Sequence, residues 1–120
     1  MKVSLITSCF NSEATIHATL DSVRLQEYSP IEYIIVDGGS SDGTLNILED
    51  FKDIIAKQIS EPDNGIYDAL NKGIGLSSGD VVGFIHSDDM LATSKSLQRI
   101  MSIFETKSID AVYGDLDYVD

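Results

Sequence analysis

The hydrophobic period of this chain switches repeatedly between two residues and three to four, and a carboxylate stands near most of the switches. Val3-Ser4-Leu5-Ile6-Thr7-Ser8-Cys9 reads as a strand and Tyr33-Ile34-Ile35-Val36 as a fully apolar one. A weaker strand runs from Ile54 to Ile59, a fourth from Val81 to Ile85, and a fifth is Ala111-Val112-Tyr113. Helical stripes lie between them. Asn11 or Ser12 can cap a helix in which Ile16, Leu20 and Val23 share a face, and Asp42 can cap one carrying Leu45, Leu48 and Phe51. Ile66, Ala69, Leu70, Gly73 and Ile74 follow an i, i+3, i+4, i+7, i+8 stripe, and Leu97, Ile100, Met101 and Phe104 mark a further helix. Apolar, β-branched strands alternating with helices predict an α/β fold: a mostly parallel sheet, helices on both faces, right-handed crossovers. No linker, repeat or charge block interrupts residues 1–120, which read as a single, partial domain. The unit stops after its fifth strand with no closing helix, so the edge at Tyr118-Val119-Asp120 is expected to stay open and to favour self-association.

The net charge of −12 narrows the function classes. Such a surface repels phosphate backbones and anionic lipid, which argues against nucleic-acid binding and against a polybasic membrane anchor. No apolar run approaches the roughly 18 residues of a membrane span. Met1-Lys2 leads directly into the first strand without a signal-peptide pattern, and the sole cysteine, Cys9, excludes an intramolecular disulfide. A cytoplasmic location is the expectation.

In open α/β sheets ligands bind outside the carboxyl ends of the strands, so those ends are where chemistry is to be sought. After strand one come Thr7, Cys9 and Asn11; after strand two, Asp37 and a glycine-rich loop; after strand three, Glu61 and Asp63; after strand four, His86, Ser87, Asp88 and Asp89. Each has an ordinary explanation. Asp37 with Gly38-Gly39 makes a turn, Asp88-Asp89 suits a helix N-terminus, His86 suits a packed or solvated site, and Cys9, Tyr67, Leu70 and Ile74 suit the core. Three independent turns, however, need not all choose acids. Converging carboxylates repel and raise one another's pKa unless a cation or a donor intervenes. A divalent metal held through oxygen, with a polar ligand for the remaining acids, accounts for the set. Asp88 and Asp89 could hold Mn²⁺ or Mg²⁺, an ion that bridges two phosphates of a nucleoside diphosphate, and Asp37 could accept from a base N–H or a ribose hydroxyl.

Val3-Ser4-Leu5-Ile6-Thr7-Ser8-Cys9-Phe10-Asn11, Val36-Asp37-Gly38-Gly39-Ser40-Ser41-Asp42-Gly43-Thr44, Asp63-Asn64-Gly65-Ile66-Tyr67-Asp68-Ala69-Leu70-Asn71-Lys72-Gly73 and Ser87-Asp88-Asp89 together resemble the successive motifs of family 2 glycosyltransferases. The resemblance runs in order over nearly the whole chain. It implies the GT-A fold, a Rossmann-like sheet, and transfer of a sugar with inversion from a nucleoside diphosphate, here a UDP-sugar, to a saccharide or lipid-linked acceptor in cell-surface polysaccharide synthesis. It also implies a peripheral seat at the inner membrane face for a longer protein. By resemblance Thr7 and Asp37 lie against the base, Glu61 and Asp63 close over base and ribose, and Asp88-Asp89 is the ribose-and-metal motif. Cys9, Asn11 and Asp68 complete the nucleotide-binding set. His86 departs from the family, which often has Asp or Asn there. The family's catalytic base lies after the fifth strand, so it is expected beyond Asp120. Rival enzymes lack their marks: no glycine-rich loop follows strand one, and no Walker A motif or receiver-type acidic pair is present. The remaining alternative is a non-catalytic nucleotide-binding or protein-interaction module.

Overall fold

The computed structural model describes residues 1–107 together with Tyr118 and Val119. Its centre is a parallel pair, β1 (Val3–Cys9) and β2 (Ile31–Asp37), in register from Val3 opposite Ile31 to Cys9 opposite Asp37. Both strands are buried almost throughout, which is why their apolar residues run on without alternation. β3 (Ile55–Ser60) lies outside β2, and β4 (Val81–Phe84) lies outside β1. The order β3-β2-β1-β4 therefore reverses direction at β1. The outer strands alternate half-buried and exposed residues, as single-sided strands do.

Four helices, α1 (Ile16–Arg24), α2 (Thr44–Glu49), α3 (Ile66–Leu76) and α4 (Ser96–Lys107), cover the sheet. Leu20 and Val23 of α1, Leu48 of α2, and Leu97 and Met101 of α4 pack with Leu5, Tyr33 and Ile35 on one face. Ala69 of α3 packs with Ile6, Ile34 and Val36 on the other. This is the α/β architecture the alternation of periods demands. After β4, a two-residue strand β5 (Met90–Leu91) pairs antiparallel with β6 (Tyr118–Val119). The expected fifth strand, Ala111 to Tyr113, lies outside the described residues. Tyr118 and Val119 pair with Leu91 and Met90.

Three local expectations need correction. Tyr67 is 81% exposed and Ile74 47% exposed, so neither belongs to the core. The face α3 turns to the sheet is the narrow one made by Ala69 and Gly73, and a side chain built at Gly73 would put Cβ 2.6 Å from Ile6 Cγ2. That close approach rotates the bulkier stripe outward. Neither Asn11 nor Ser12 caps α1 with its side chain; the Ser12 carbonyl accepts from the N–H of Thr15 and Ile16, and Asn11 serves the neighbouring loop instead. Asp42 does act at the start of α2, its Oδ1 accepting from the N–H and hydroxyl of Thr44 at 2.9 and 2.6 Å.

Glu32, at the amino end of β2, carries no role in the sequence reading, yet its side chain is nearly buried and densely bonded. Ser4 Oγ donates to it at 2.7 Å, Ser78 donates through both N–H and hydroxyl at 2.8 Å, and Lys57 Nζ lies at 3.3 Å. The Ser4 hydroxyl, with Ser78 and Lys57, holds the carboxyl down to about 2 against the upward push of burial.

Two predictions come from this packing. Gly73→Ala should lower stability by about 1–3 kcal/mol from overpacking, more than the roughly 1 kcal/mol that alanine gains in helix propensity. Gly75→Ala, with nothing within 4 Å of its Cβ, should be neutral or stabilising; urea unfolding of the two variants checks the opposite signs. Glu32 has a depressed folded-state pKa, so its contribution is complete above the unfolded value near 4.5 and lost as pH falls from there toward 2. Glu32→Gln should cost on the order of 2 kcal/mol at pH 7, and the difference from wild type should shrink across that window.

Candidate functional site

The carboxyl end of β1 leads into Phe10, which is 60% exposed, and Asn11, whose φ of 47° is in the left-handed region that asparagine tolerates. That turn aims Asn11 Oδ1 at the glycine-rich loop after β2, where it accepts from the N–H groups of Ser41 (2.8 Å) and Asp42 (3.3 Å). Asn11 N–H donates to Ser40 Oγ at 2.8 Å, Ser12 N–H to Thr44 Oγ1 at 2.8 Å, and Gly43 N–H to Glu13 Oε2 at 2.9 Å. Two loops from adjacent strands are thereby joined into one rim.

Asp37 anchors that rim from beneath. Its fully buried carboxylate accepts from Gly39 N–H (3.1 Å), Ser40 N–H (2.9 Å), the Ser40 hydroxyl, Ser60 Oγ (2.8 Å) and Cys9 Sγ (3.4 Å). Burial pushes its pKa up, but the Ser40, Ser60 and Cys9 donors outweigh that and hold it below the usual carboxylate range. Burial and the carboxylates of Asp37, Asp42 and Asp63 push the Cys9 thiol far up, so it is a packed group rather than a nucleophile.

Across β1, the loop after β4 carries His86, Ser87, Asp88 and Asp89, closed by the Asp89 N–H donating to the His86 carbonyl at 3.1 Å. Ser87 Oγ meets Ser12 Oγ at 2.9 Å, so this loop touches the first one. Between them opens a cleft of about 740 Å³, floored by Cys9 and Ala69 and walled by Phe10, Asn11, Asp63, His86, Asp88 and Asp89. It sits between β1 and β4, where the strand order reverses, which is the place such sheets bind ligands.

Of the expected site residues, Cys9, Asn11, Asp63, Asp88 and Asp89 meet in this cleft, and His86 joins them. Four do not line it. Thr7 is fully buried, its hydroxyl 2.7 Å from the Tyr33 hydroxyl on the helix-covered face. Asp37 stands behind Cys9 with its oxygens taken by Ser40 of its own loop, by Ser60 of β3 and by Cys9 itself. Glu61 pairs with Lys72 at 3.1 Å. Asp68 accepts from Asn64 N–H at 3.0 Å and lies 3.4 Å from the same lysine, so it organises the entry to α3. Phe10, Ser12, Ala14 and Thr15 are cleft residues that strand-end carboxylates alone did not single out.

The donor set at Asp88 and Asp89 suits a hard divalent ion of incomplete protein coordination. Among the described residues no three His, Cys, Asp or Glu side chains gather closely enough to hold a metal by themselves. One or two carboxylates beside an open cleft is the arrangement in which Mg²⁺-type ions take their other ligands from phosphate and water.

The family model described as glycosyl transferase family 2 matches residues 4–120. The chain belongs to glycosyltransferase family 2. A PGL/p-HBAD biosynthesis glycosyltransferase of Mycobacterium bovis is 36% identical over 117 residues, covering 94% of this chain and 46% of the relative, so the chain spans under half that protein's length. The crystal structure of S. aureus TarS 1-349 in complex with UDP-GlcNAc matches with a TM-score of 0.79 at 27% identity, over 88% of this chain and 31% of that one. Glucosyl-3-phosphoglycerate synthase from Mycobacterium tuberculosis, in complex with Mn²⁺, UDP and glucosyl-3-phosphoglycerate, matches with a TM-score of 0.71 at 27% identity, over 88% and 40%. The fold is that of these glycosyltransferase-type domains, the GT-A architecture the motifs implied.

Asp37→Asn places an amide NH₂ among donors from Ser40 and Ser60. It should destabilise the chain by about 1–3 kcal/mol, seen as a melting temperature several degrees lower, even with no ligand present.

Proposed function

We propose that the cleft binds the nucleoside diphosphate of an activated sugar, UDP in the first instance, together with Mn²⁺ or Mg²⁺. The whole protein, of which this chain is the donor-binding portion, would transfer that sugar with inversion to a saccharide or lipid-linked acceptor at the cytoplasmic side of the membrane. The observation that carries the reading is the pairing of an open cleft at the strand-order reversal with two carboxylates, Asp88 and Asp89, on its rim. Family membership supports the reaction class, and the UDP-GlcNAc and UDP–Mn²⁺ complexes of the two structural relatives support the donor and the ion.

In a chain of net charge −12, an anionic diphosphate meets a repulsive rim unless a cation accompanies it. When bound, that cation would supply positive charge to stabilise the leaving diphosphate. This chain's own residues would do the rest. Asp88 and Asp89 hold the ion, Asn11 fixes the rim, and Phe10 offers an exposed ring against which a base can pack. Asp63 reaches the same space from the entry to α3. Asp37 contributes indirectly, by holding the loop that Asn11 grips. The cleft carboxylates are committed on this reading to the ion and the donor, so the general base would come from outside the cleft.

Because the protein supplies few ligands, metal and nucleotide should bind together. Millimolar Mn²⁺ alone should barely move the melting temperature, whereas UDP with Mn²⁺ should raise it by several degrees, about 2.7 kcal/mol at a hundredfold excess over Kd. Asp89→Ala should abolish the Mn²⁺ effect. Calorimetry with UDP, with and without chelator, is the test; failure to bind any nucleoside diphosphate would overturn the reading.

A further inference from the structure

The loop that carries Asp88 and Asp89 has little regular structure of its own. It has one turn bond, from Asp89 N–H to the His86 carbonyl, and the two-residue β5 follows it. What fixes it is a row of polar side chains at i, i+3 and i+7 spacing on α1 and just past its end. Thr19, fully buried, directs its hydroxyl at the carbonyl oxygens of Ser87 (3.0 Å) and Asp89. Ser22 Oγ accepts from Leu91 N–H at 3.1 Å and donates to the Thr19 carbonyl at 2.7 Å. Gln26 Nε2 donates to the Thr93 carbonyl at 2.8 Å, and its Oε1 accepts from Leu97 N–H at 3.1 Å.

These contacts share a direction. All but the Ser22–Thr19 bond join a side chain of the first helical unit to the backbone of residues 87–97, so they set the path of that segment whatever side chains it carries. Thr19 is the member that brackets Asp88, bonding the residue on either side of it. Two adjacent carboxylates repel each other in a chain that is already strongly anionic, and an unsupported loop would relax by splaying them apart. The buried Thr19 hydroxyl opposes that relaxation, because splaying the loop would break its bonds to the Ser87 and Asp89 carbonyls.

We propose that Thr19 is a positioning residue for the acidic pair: it touches neither nucleotide nor ion, and it holds the loop so that Asp88 and Asp89 face the cleft together. The inference rests on the reading of the cleft given under Proposed function. It predicts that Thr19 acts on the metal-dependent part of nucleotide binding and leaves the metal-independent part alone.

The test is calorimetric titration of the chain with UDP, once with Mn²⁺ and once with EDTA, for wild type, Thr19→Val and Thr19→Ser. Valine keeps the shape and removes the hydroxyl; serine keeps the hydroxyl. Thr19→Val should reduce the affinity gained on adding Mn²⁺ by about tenfold or more, as loss of a group that orients metal ligands typically does, with affinity in EDTA unchanged. Thr19→Ser should retain most of the gain. An undiminished gain in Thr19→Val, an equal loss in both variants, or an equal loss with Mn²⁺ and with EDTA would each overturn the inference. If Thr19→Val does not fold, Ser22→Ala takes its place, with a smaller loss of the same metal-dependent kind expected and an unchanged gain counting against. Wild type that binds no UDP under either condition overturns the reading of the cleft and this inference with it, whereas wild type that binds while the variants match it overturns this inference alone.

Discussion

A carboxylate buried without donors is among the costliest groups a protein can contain, and Asp37 sits at the end of a strand that is buried over all but its first residue. The glycine-rich loop has to curl back on it. Ser40 must present both its N–H and its hydroxyl, Gly39 must open into positive φ (91°), and Ser60 of β3 must reach across. Once that loop is fixed, its outward-facing N–H groups are fixed too, and Asn11 finds two of them at the end of β1. One wall of the cleft is a consequence of neutralising the surroundings of one charge.

β2 carries a second buried acid at its other end, and the contrast is informative. Glu32 draws donors from Ser4, Ser78 and Lys57, and with them it ties β2 to β1, β3 and the turn before β4. It lies on the α3 face and at the amino end of the sheet, far along the strand from the cleft. Its bonding stabilises the frame. Asp37, with comparable bonding, stabilises the frame and shapes the site. The difference is one of position: the carboxyl end of the strands is where the loops converge.

The sequence makes the frame legible because the frame is written in long periodic stretches. The strands expected from Val3, Tyr33, Ile54 and Val81 form, starting at Val3, Ile31, Ile55 and Val81. Cys9 packs as an apolar-run cysteine does. Contacts made by short polar side chains over long sequence separations are another matter. Nothing in Thr19, Ser22 or Gln26 as letters announces a partner some 65–75 residues away, and nothing in Glu61 and Asp68 announces that Lys72 pairs with both. Thr7 and Cys9 share a face of β1, yet Thr7 lies one pleat deeper, bonded to Tyr33, and only Cys9 reaches the cleft. Tyr67 and Ile74 fit a helical stripe, but a glycine against Ile6 decides which stripe turns inward.

The central strand, β1, is the first to be made and must be flanked by a strand that begins only at Val81. During synthesis the ribosome therefore releases β1, β2 and β3 as a half-open sheet whose site-side edge waits for a partner some 78 residues downstream. The cleft is assembled from three separated stretches, around Cys9, around Asp63 and from His86 to Asp89. A nascent chain has no complete cleft until Asp89 has emerged, and a ligand that stabilises the cleft can guide only the steps of folding after that point.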